Sequence, residues 1–158
     1  MKGNNFKIMV RIGKKIDGVK YTKRRAAYVI IEGEDKEKIA IATDGEWFFL
    51  GGGLEGTETE LEALKREVIE EAGYSIKNIK FFDKITAWAD GGKRGPLDVE
   101  ATFYIAEFGE KVVEPIEKDH KVFWIKPNEY IEKLYHEYQR YILKEYIEYK
   151  EMQKNVVS

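Results

Sequence analysis

Apolar and polar residues alternate from Phe6 to Ile12, setting Phe6, Ile8, Val10 and Ile12 on one side of the chain. A period of two predicts a half-buried strand. Asp17-Gly18 is a strong hairpin signal, so a second strand is expected to return through Val19 to Lys23. The run "AAYVIIE", from Ala26 to Glu32, is short, apolar and rich in β-branched residues. It predicts a buried strand. After the polar turn "GEDKEK", "IAIAT" predicts a further strand, and Asp44-Gly45 a turn into "EWFFL".

The pattern then changes. Thr57 is an N-cap candidate, and Glu58 to Ala72 contains neither proline nor glycine. A helix is expected there, with Gly73 as its stop. Beyond it, "YSIKNIKFFDKITAWA" and "LDVEATFYIAEF" predict two long strands around the loop Asp90 to Pro96, and "KVFWIK" predicts a short one. Ile131, Leu134, Tyr135, Tyr138, Ile142, Tyr146 and Tyr149 recur at steps of three and four. They predict an amphipathic helix from Glu129 to about Met152, its tyrosine stripe packed on a sheet. The last residues, "QKNVVS", are expected to fray. Strands, helix, strands, helix, with hairpins dominating, make an α/β fold: a mixed, largely antiparallel sheet covered on both faces.

A chain of 158 residues fits one domain, taken here as 1–158. Hydrophobic residues are 43% and charged residues 35%, a globular balance shifted toward charge. The formal net charge of -2 gives no overall attraction for nucleic acid or an anionic membrane. A local basic patch near Lys20, Lys23, Arg24 and Arg25 stands apart from that average. With no cysteine, disulfides, thiolate metal sites and cysteine nucleophiles are excluded. With only His120 and His136, any metal must be held mainly by oxygen. The N-terminus lacks the apolar segment of a secretory signal, and no apolar run is long enough to span a bilayer. The expected location is cytoplasmic.

The first helix carries an electrostatic problem. At about 100° per residue, Leu61, Leu64, Val68 and Ala72 fall within roughly 80° of one another and predict the packing face. Glu67 and Glu71 lie on one flank of that stripe, and Glu70 somewhat further out. The pairs 67/70 and 67/71 are neighbours and repel, more so beside an apolar stripe. Lys65 and Arg66 offset a little of this on this reading, but Arg66 lies on the opposite side of Glu70 from the other two glutamates. Two readings stay open: a solvated acidic helix face, or a site for a divalent cation. Carboxylates without thiolate or imidazole suit Mg2+ or Mn2+.

The context upstream weighs on that choice. Gly52, five residues, Glu58, seven residues and then "REVIEEAGY" from Arg66 to Tyr74 resemble the Nudix box, the signature of the Nudix hydrolase family. Gly52, Glu58, Arg66, Glu67, Val68, Glu70, Glu71 and Gly73 fill their places. Tyr74 departs from the final aliphatic slot, and Leu50 stands where the family often has proline. The resemblance implies an α/β/α sandwich that hydrolyses a diphosphate linkage in a nucleotide derivative with Mg2+ or Mn2+. It implies Glu67, Glu70 and Glu71 as metal ligands, with the Gly52 carbonyl joining them. One glutamate also activates water in some members. Arg66 would orient the glutamates, and Glu58 would join the acidic cluster or cap the loop–helix junction. The chemistry has its own logic, since a cation against phosphate oxygens lowers their repulsion of an attacking water.

In this family a general base often lies on a later loop. Here "VVEPIEKDHKVFW" supplies Glu114, Glu117, Asp119 and His120, with Glu117 the first choice among them and an ordinary charged turn the favoured reading for any single one. Glu100 is a further acid whose direction on its strand decides its role. Trp47 and Trp88 are candidates to stack on a base, against simple packing. Asp90 to Pro96 is a candidate lid, against a plain hairpin tip. The expected partner is a small nucleotide diphosphate, a nucleoside triphosphate included. No nucleic acid or membrane partner is expected, and a homodimer is left open. The family's subgroup markers for ADP-ribose and dinucleoside polyphosphate enzymes are not in place in "AWADGGKRGP". Two rivals remain, a binding module of the same fold that does not cleave and an acidic interaction protein.

Overall fold

The computed structural model describes residues 8–114 and 121–157. Its central strand is β2 (Thr22–Ile31), with Ala26 to Ile31 all buried. An uninterrupted apolar run is what a strand covered on both faces needs. β2 runs parallel to β7 (Pro96–Lys111) along its whole length and antiparallel to β5 (Leu50–Gly53). β7 returns along β6 (Tyr74–Asp90) as a long antiparallel hairpin, and β1 (Arg11–Ile12) adds a short parallel edge on β6. The sheet order is β1-β6-β7-β2-β5. A second, antiparallel sheet joins β4 (Trp47–Phe48), β3 (Ile39–Thr43) and β8 (Lys121–Ile125) in the order β4-β3-β8.

The pleat of β2 divides the core. Ala27, Val29 and Ile31 face one way and pack with Leu64, Val68 and Ala72 of α1 (Glu60–Ala72). Ala26, Tyr28 and Ile30 face the other way and pack with Tyr138, Ile142, Leu143 and Tyr146 of α2 (Glu137–Val157). This is the α/β/α sandwich on a mixed sheet. Polar contacts key α2 to it. The Tyr28 and Tyr138 hydroxyls meet at 3.1 Å, and Gln139 Oε1 accepts the Phe49 N–H at 2.8 Å, where the chain passes from one sheet to the other. Among the described residues no helix is long and apolar enough to cross a membrane.

Several local expectations are corrected. The N-terminal strand is only Arg11–Ile12, Phe6 lies outside the described residues, and Ile8 is 85% exposed. Asp17-Gly18 does turn, with the Val19 N–H on the Ile16 carbonyl at 3.3 Å, but no hairpin forms. β2 takes β7 as its neighbour over ten residue pairs, and β1 goes to β6. The longer ladder satisfies more backbone than a hairpin with a two-residue strand. By contrast, Asp44-Gly45 does join paired strands, β3 and β4.

α1 begins at Glu60 with Thr59 as N-cap, not at Glu58 with Thr57. Both threonines precede a glutamate by three residues, so both spell a capping box. The choice falls to tertiary partners. Glu60 is held by Arg25 and Glu58 by Arg66, which leaves Glu62 to close the box on Thr59. Gly73 ends the helix as expected, in a left-handed conformation with its N–H on the Ile69 carbonyl. Leu61, in the first turn, is 38% exposed and not part of the packing face. α2 begins at Glu137 and not Glu129, because the chain before it is caught by β4. Leu134 is extended and bridges Trp47, whose carbonyl takes the Tyr135 N–H at 3.0 Å. Two short 3-10 turns fill Pro127–Glu129 and Ile131–Lys133. The helix then continues to Val157, through residues expected to fray.

Candidate active site

Each glycine of the triplet on β5 is needed for a different reason. A β-carbon on Gly51, where φ is +135°, would meet the Ala27 carbonyl oxygen of β2 at 2.2 Å. On Gly52 it would meet the Glu67 carboxyl carbon at 2.8 Å, and on Gly53 the Arg24 guanidinium carbon at 2.5 Å. The bend is therefore pressed between a strand, a carboxylate and a cation: at Gly51 only hydrogen fits, and at Gly52 and Gly53 a side chain would displace the Glu67 carboxylate or the Arg24 guanidinium. The Gly51 N–H donates to Glu71 Oε1 at 2.9 Å, which docks the helix onto the bend.

The three glutamates stand in a graded series. Glu71 is buried. The Glu67 side chain is 16% exposed and that of Glu70 is 29%. Their order follows from helix geometry, with Glu67 and Glu71 flanking the apolar stripe and Glu70 further round.

Arg66 is corrected by the structure. The direction of its Cα does set it apart from Glu67, but its long side chain folds back over the cluster. Nε and Nη2 fork onto the Glu58 carboxylate at 2.7 and 3.0 Å. Nη1 reaches Glu67 Oε1 at 3.0 Å and the Glu70 oxygens at 3.4 and 3.5 Å. Nη2 also donates to the Gly53 carbonyl at 3.2 Å. One planar cation thus joins three carboxylates to the glycine bend, which a point charge on a flexible stem does poorly. Hydrogen bonds to Glu58, then to Glu67, raise the Arg66 pKa. Arg66, with the Glu55 N–H, holds the Glu58 carboxyl below its usual range. Much of the repulsion among the glutamates is met by Arg66 and by the Gly51 N–H.

Among the described residues no three acidic or histidine side chains converge into a ready-made ion cage. The donor chemistry nevertheless fits a hard divalent ion. Glu67, Glu70 and Glu71 offer oxygen alone, and Glu67 lies in a cradle that any side chain on Gly52 would fill. Glu70, at the limit of hydrogen-bond distance from Arg66, is the most readily redirected.

Glu117, Asp119 and His120 lie outside the described residues. Glu114 is exposed and paired with Lys111 at 2.6 Å. Glu100 faces the α1 side of the sheet, paired with Lys84 at 3.1 Å and Arg25 at 3.5 Å. Trp47 packs edge-on against Phe123. Trp88 lies against Tyr21, with the Arg11 guanidinium 4.2 Å from its ring centre. The sequence reading did not place Arg24 at the bend, although the basic run Lys23 to Arg25 was its visible signal.

A family model described as the NUDIX domain matches residues 22–146. Solved structures share the fold. A MutT structure described for Aliivibrio salmonicida and Vibrio cholerae is 20% identical with a TM-score of 0.59, covering 78% of this chain and 96% of that one. A Nudix hydrolase family member from Chromobacterium violaceum is 18% identical at 0.63, covering 82% and 80%. A MutT NUDIX hydrolase from Burkholderia pseudomallei is 19% identical at 0.62, covering 78% and 97%. No curated protein matches the chain by sequence.

Proposed function

The chain belongs to the Nudix hydrolase family, and from that premise we propose that it uses Mg2+ or Mn2+ to hydrolyse a diphosphate linkage in a small nucleotide derivative. The observation that carries this reading is the Glu67 carboxylate lodged against Gly52, with Glu70 and Glu71 beside it and Arg66 joining the set.

Glu67, Glu70 and Glu71, with the Gly52 carbonyl, would hold the ion. When bound, it supplies Lewis acidity, drawing charge from the phosphate oxygens and making a nearby water easier to ionise. Arg66 keeps Glu67 aimed and leaves Glu70 loosely held. A glutamate of this set, or Glu117, takes the proton of the attacking water. The water oxygen bonds to one phosphorus, the bond from that phosphorus to the bridging oxygen breaks, and the bridging oxygen leaves with the electron pair. Two phosphate-bearing products result. Nucleoside triphosphates are among the substrates this scheme accepts, and a cytoplasmic site of action suits them.

The test is a nucleotide panel with Mg2+ or Mn2+, read by phosphate or pyrophosphate release, on wild type and E70Q. Wild type should turn over at least one nucleotide, and E70Q should lose most of that activity while unfolding at the same temperature. Normal turnover by folded E70Q would remove the assigned role.

A further inference from the structure

Building on the function proposed above, we propose that a basic cleft beside the glycine bend binds a phosphate group of the substrate beyond the diphosphate that is cut. The cleft has a volume of about 860 Å³ and lies between the start of β2, the β6–β7 hairpin and the Leu54–Gly56 loop. That volume suits a small ligand. β5 ends its pairing opposite Ala26. Residues 22–25 of β2 therefore form an edge on that side, covered only where the Leu54 N–H meets the Arg25 carbonyl at 2.9 Å. At an open edge, side chains from both faces of the strand can reach one space, and Lys23, Arg24 and Arg25 all line it.

Charge bookkeeping sets this cleft apart from the rest of the molecule. Five cationic side chains line it, the three just named with Arg11 and Arg94, against the carboxylates of Asp98 and Glu100. Both carboxylates are already engaged. Asp98 pairs with Arg11 at 2.7 Å, and Glu100 pairs with Lys84 and Arg25. Arg25 is also held by Glu60. Among the described residues no carboxylate lies within ion-pair distance of Lys23, Arg24 or Arg94. Three unmatched cations around one space, in a chain of net charge -2, repel one another unless an anion joins them. Two of the three are arginines, whose forks match phosphate oxygens.

The cleft adjoins the acidic site through one residue. The Arg24 guanidinium lies against the Cα of Gly53, while the Gly53 carbonyl accepts from Arg66. A phosphate chain lying across Gly53 would meet the glutamates and their ion on one side and unmatched cations on the other. A substrate whose charge ends at the cleaved diphosphate leaves those cations unused.

The experiment is calorimetric titration with inorganic tripolyphosphate in EDTA at fixed ionic strength, on wild type, K23A and R94A. Lys23 and Arg94 are exposed, so both variants should keep the fold. Wild type should bind, and each variant should bind roughly ten-fold more weakly, the scale of one lost charged hydrogen bond. No binding by wild type, or binding by both variants as tight as that of wild type, overturns the site. A single-stranded oligonucleotide that binds through Lys23 and Arg94 more tightly than tripolyphosphate also overturns it, in favour of nucleic acid. The titration holds no divalent metal and reads no turnover. Tripolyphosphate binding that depends on Lys23 and Arg94, in a chain that cleaves nothing, would uphold the site while removing the function proposed above.

Discussion

The Glu67 carboxylate lies so close to the Cα of Gly52 that a β-carbon there would meet its Cδ at 2.8 Å and its Oε1 at 2.8 Å. The backbone of β5 therefore fixes where this carboxylate sits. Substituting Gly52→Ala keeps an allowed backbone conformation but drives Glu67 out of position. Misplacing a reacting group by about 1 Å costs on the order of 100-fold in rate. G52A should lose at least that factor in kcat, with a melting temperature near that of wild type. A kcat within a few-fold of wild type would show that the contact has no part in catalysis.

Arg66 acts through its shape as well as its charge. R66K retains the positive charge but cannot fork onto Glu58 while reaching Glu67, Glu70 and the Gly53 carbonyl. A group that orients metal ligands typically contributes about 10- to 100-fold. R66K and R66A should both fall in that range in kcat, and in apparent Mn2+ affinity measured by titration. If lysine restored both quantities, simple charge neutralisation would be the better account.

Glu32 is a buried carboxylate at the end of β2, where Tyr146 of α2 donates to it at 2.6 Å and Lys150 at 3.0 Å. Burial alone would raise its pKa, but those two donors hold it below its ordinary 4.5. Y146F removes one charge-assisted hydrogen bond and should lower stability by about 1–3 kcal/mol in urea unfolding at pH 7. A depressed carboxylate stabilises the fold above its unfolded pKa and loses that contribution as pH falls through the folded value. The gap between wild type and Y146F should therefore narrow below pH 4.5. A gap that widens in acid would contradict the assignment.

His136 responds over a different pH window. Burial pulls its pKa from 6.5 to about 4, with Asp90 opposing and Arg140 and Arg24 assisting. Its ring stacks on Tyr138 at 4.9 Å and sits 5.6 Å from Phe48. Between pH 6.5 and 4 the unfolded chain binds a proton that the folded chain refuses, so stability falls as pH drops through that window. H136F keeps an aromatic ring in the stack and removes the titration. Its unfolding midpoint should decline less than that of wild type between pH 7 and pH 5. Parallel declines would rule this histidine out as the source.

The glutamate series was legible because helix geometry fixes the angles between residues three and four apart, whatever surrounds them. The same holds for the Gly73 stop and the Asp44-Gly45 turn. Hairpin pairing at Asp17-Gly18 was not legible, because a turn sets direction while the partner strand is chosen by competition along the whole sheet. The start of α1 shows the same limit, with two equivalent capping boxes resolved by Arg25 and Arg66 from other parts of the fold.

By itself, then, the sequence determined the type of most elements, the acidic face of α1 and the family to which the box points. Those are properties of short-range periodicity and of residue chemistry at fixed spacing. Only the tertiary structure decided which group each glycine of the triplet must admit, how far Arg66 reaches, and that Lys23, Arg24 and Arg94 share one cleft. These are contacts between segments distant along the chain. They depend on which strand lies beside which and on where β5 stops, and local spacing carries no information about either.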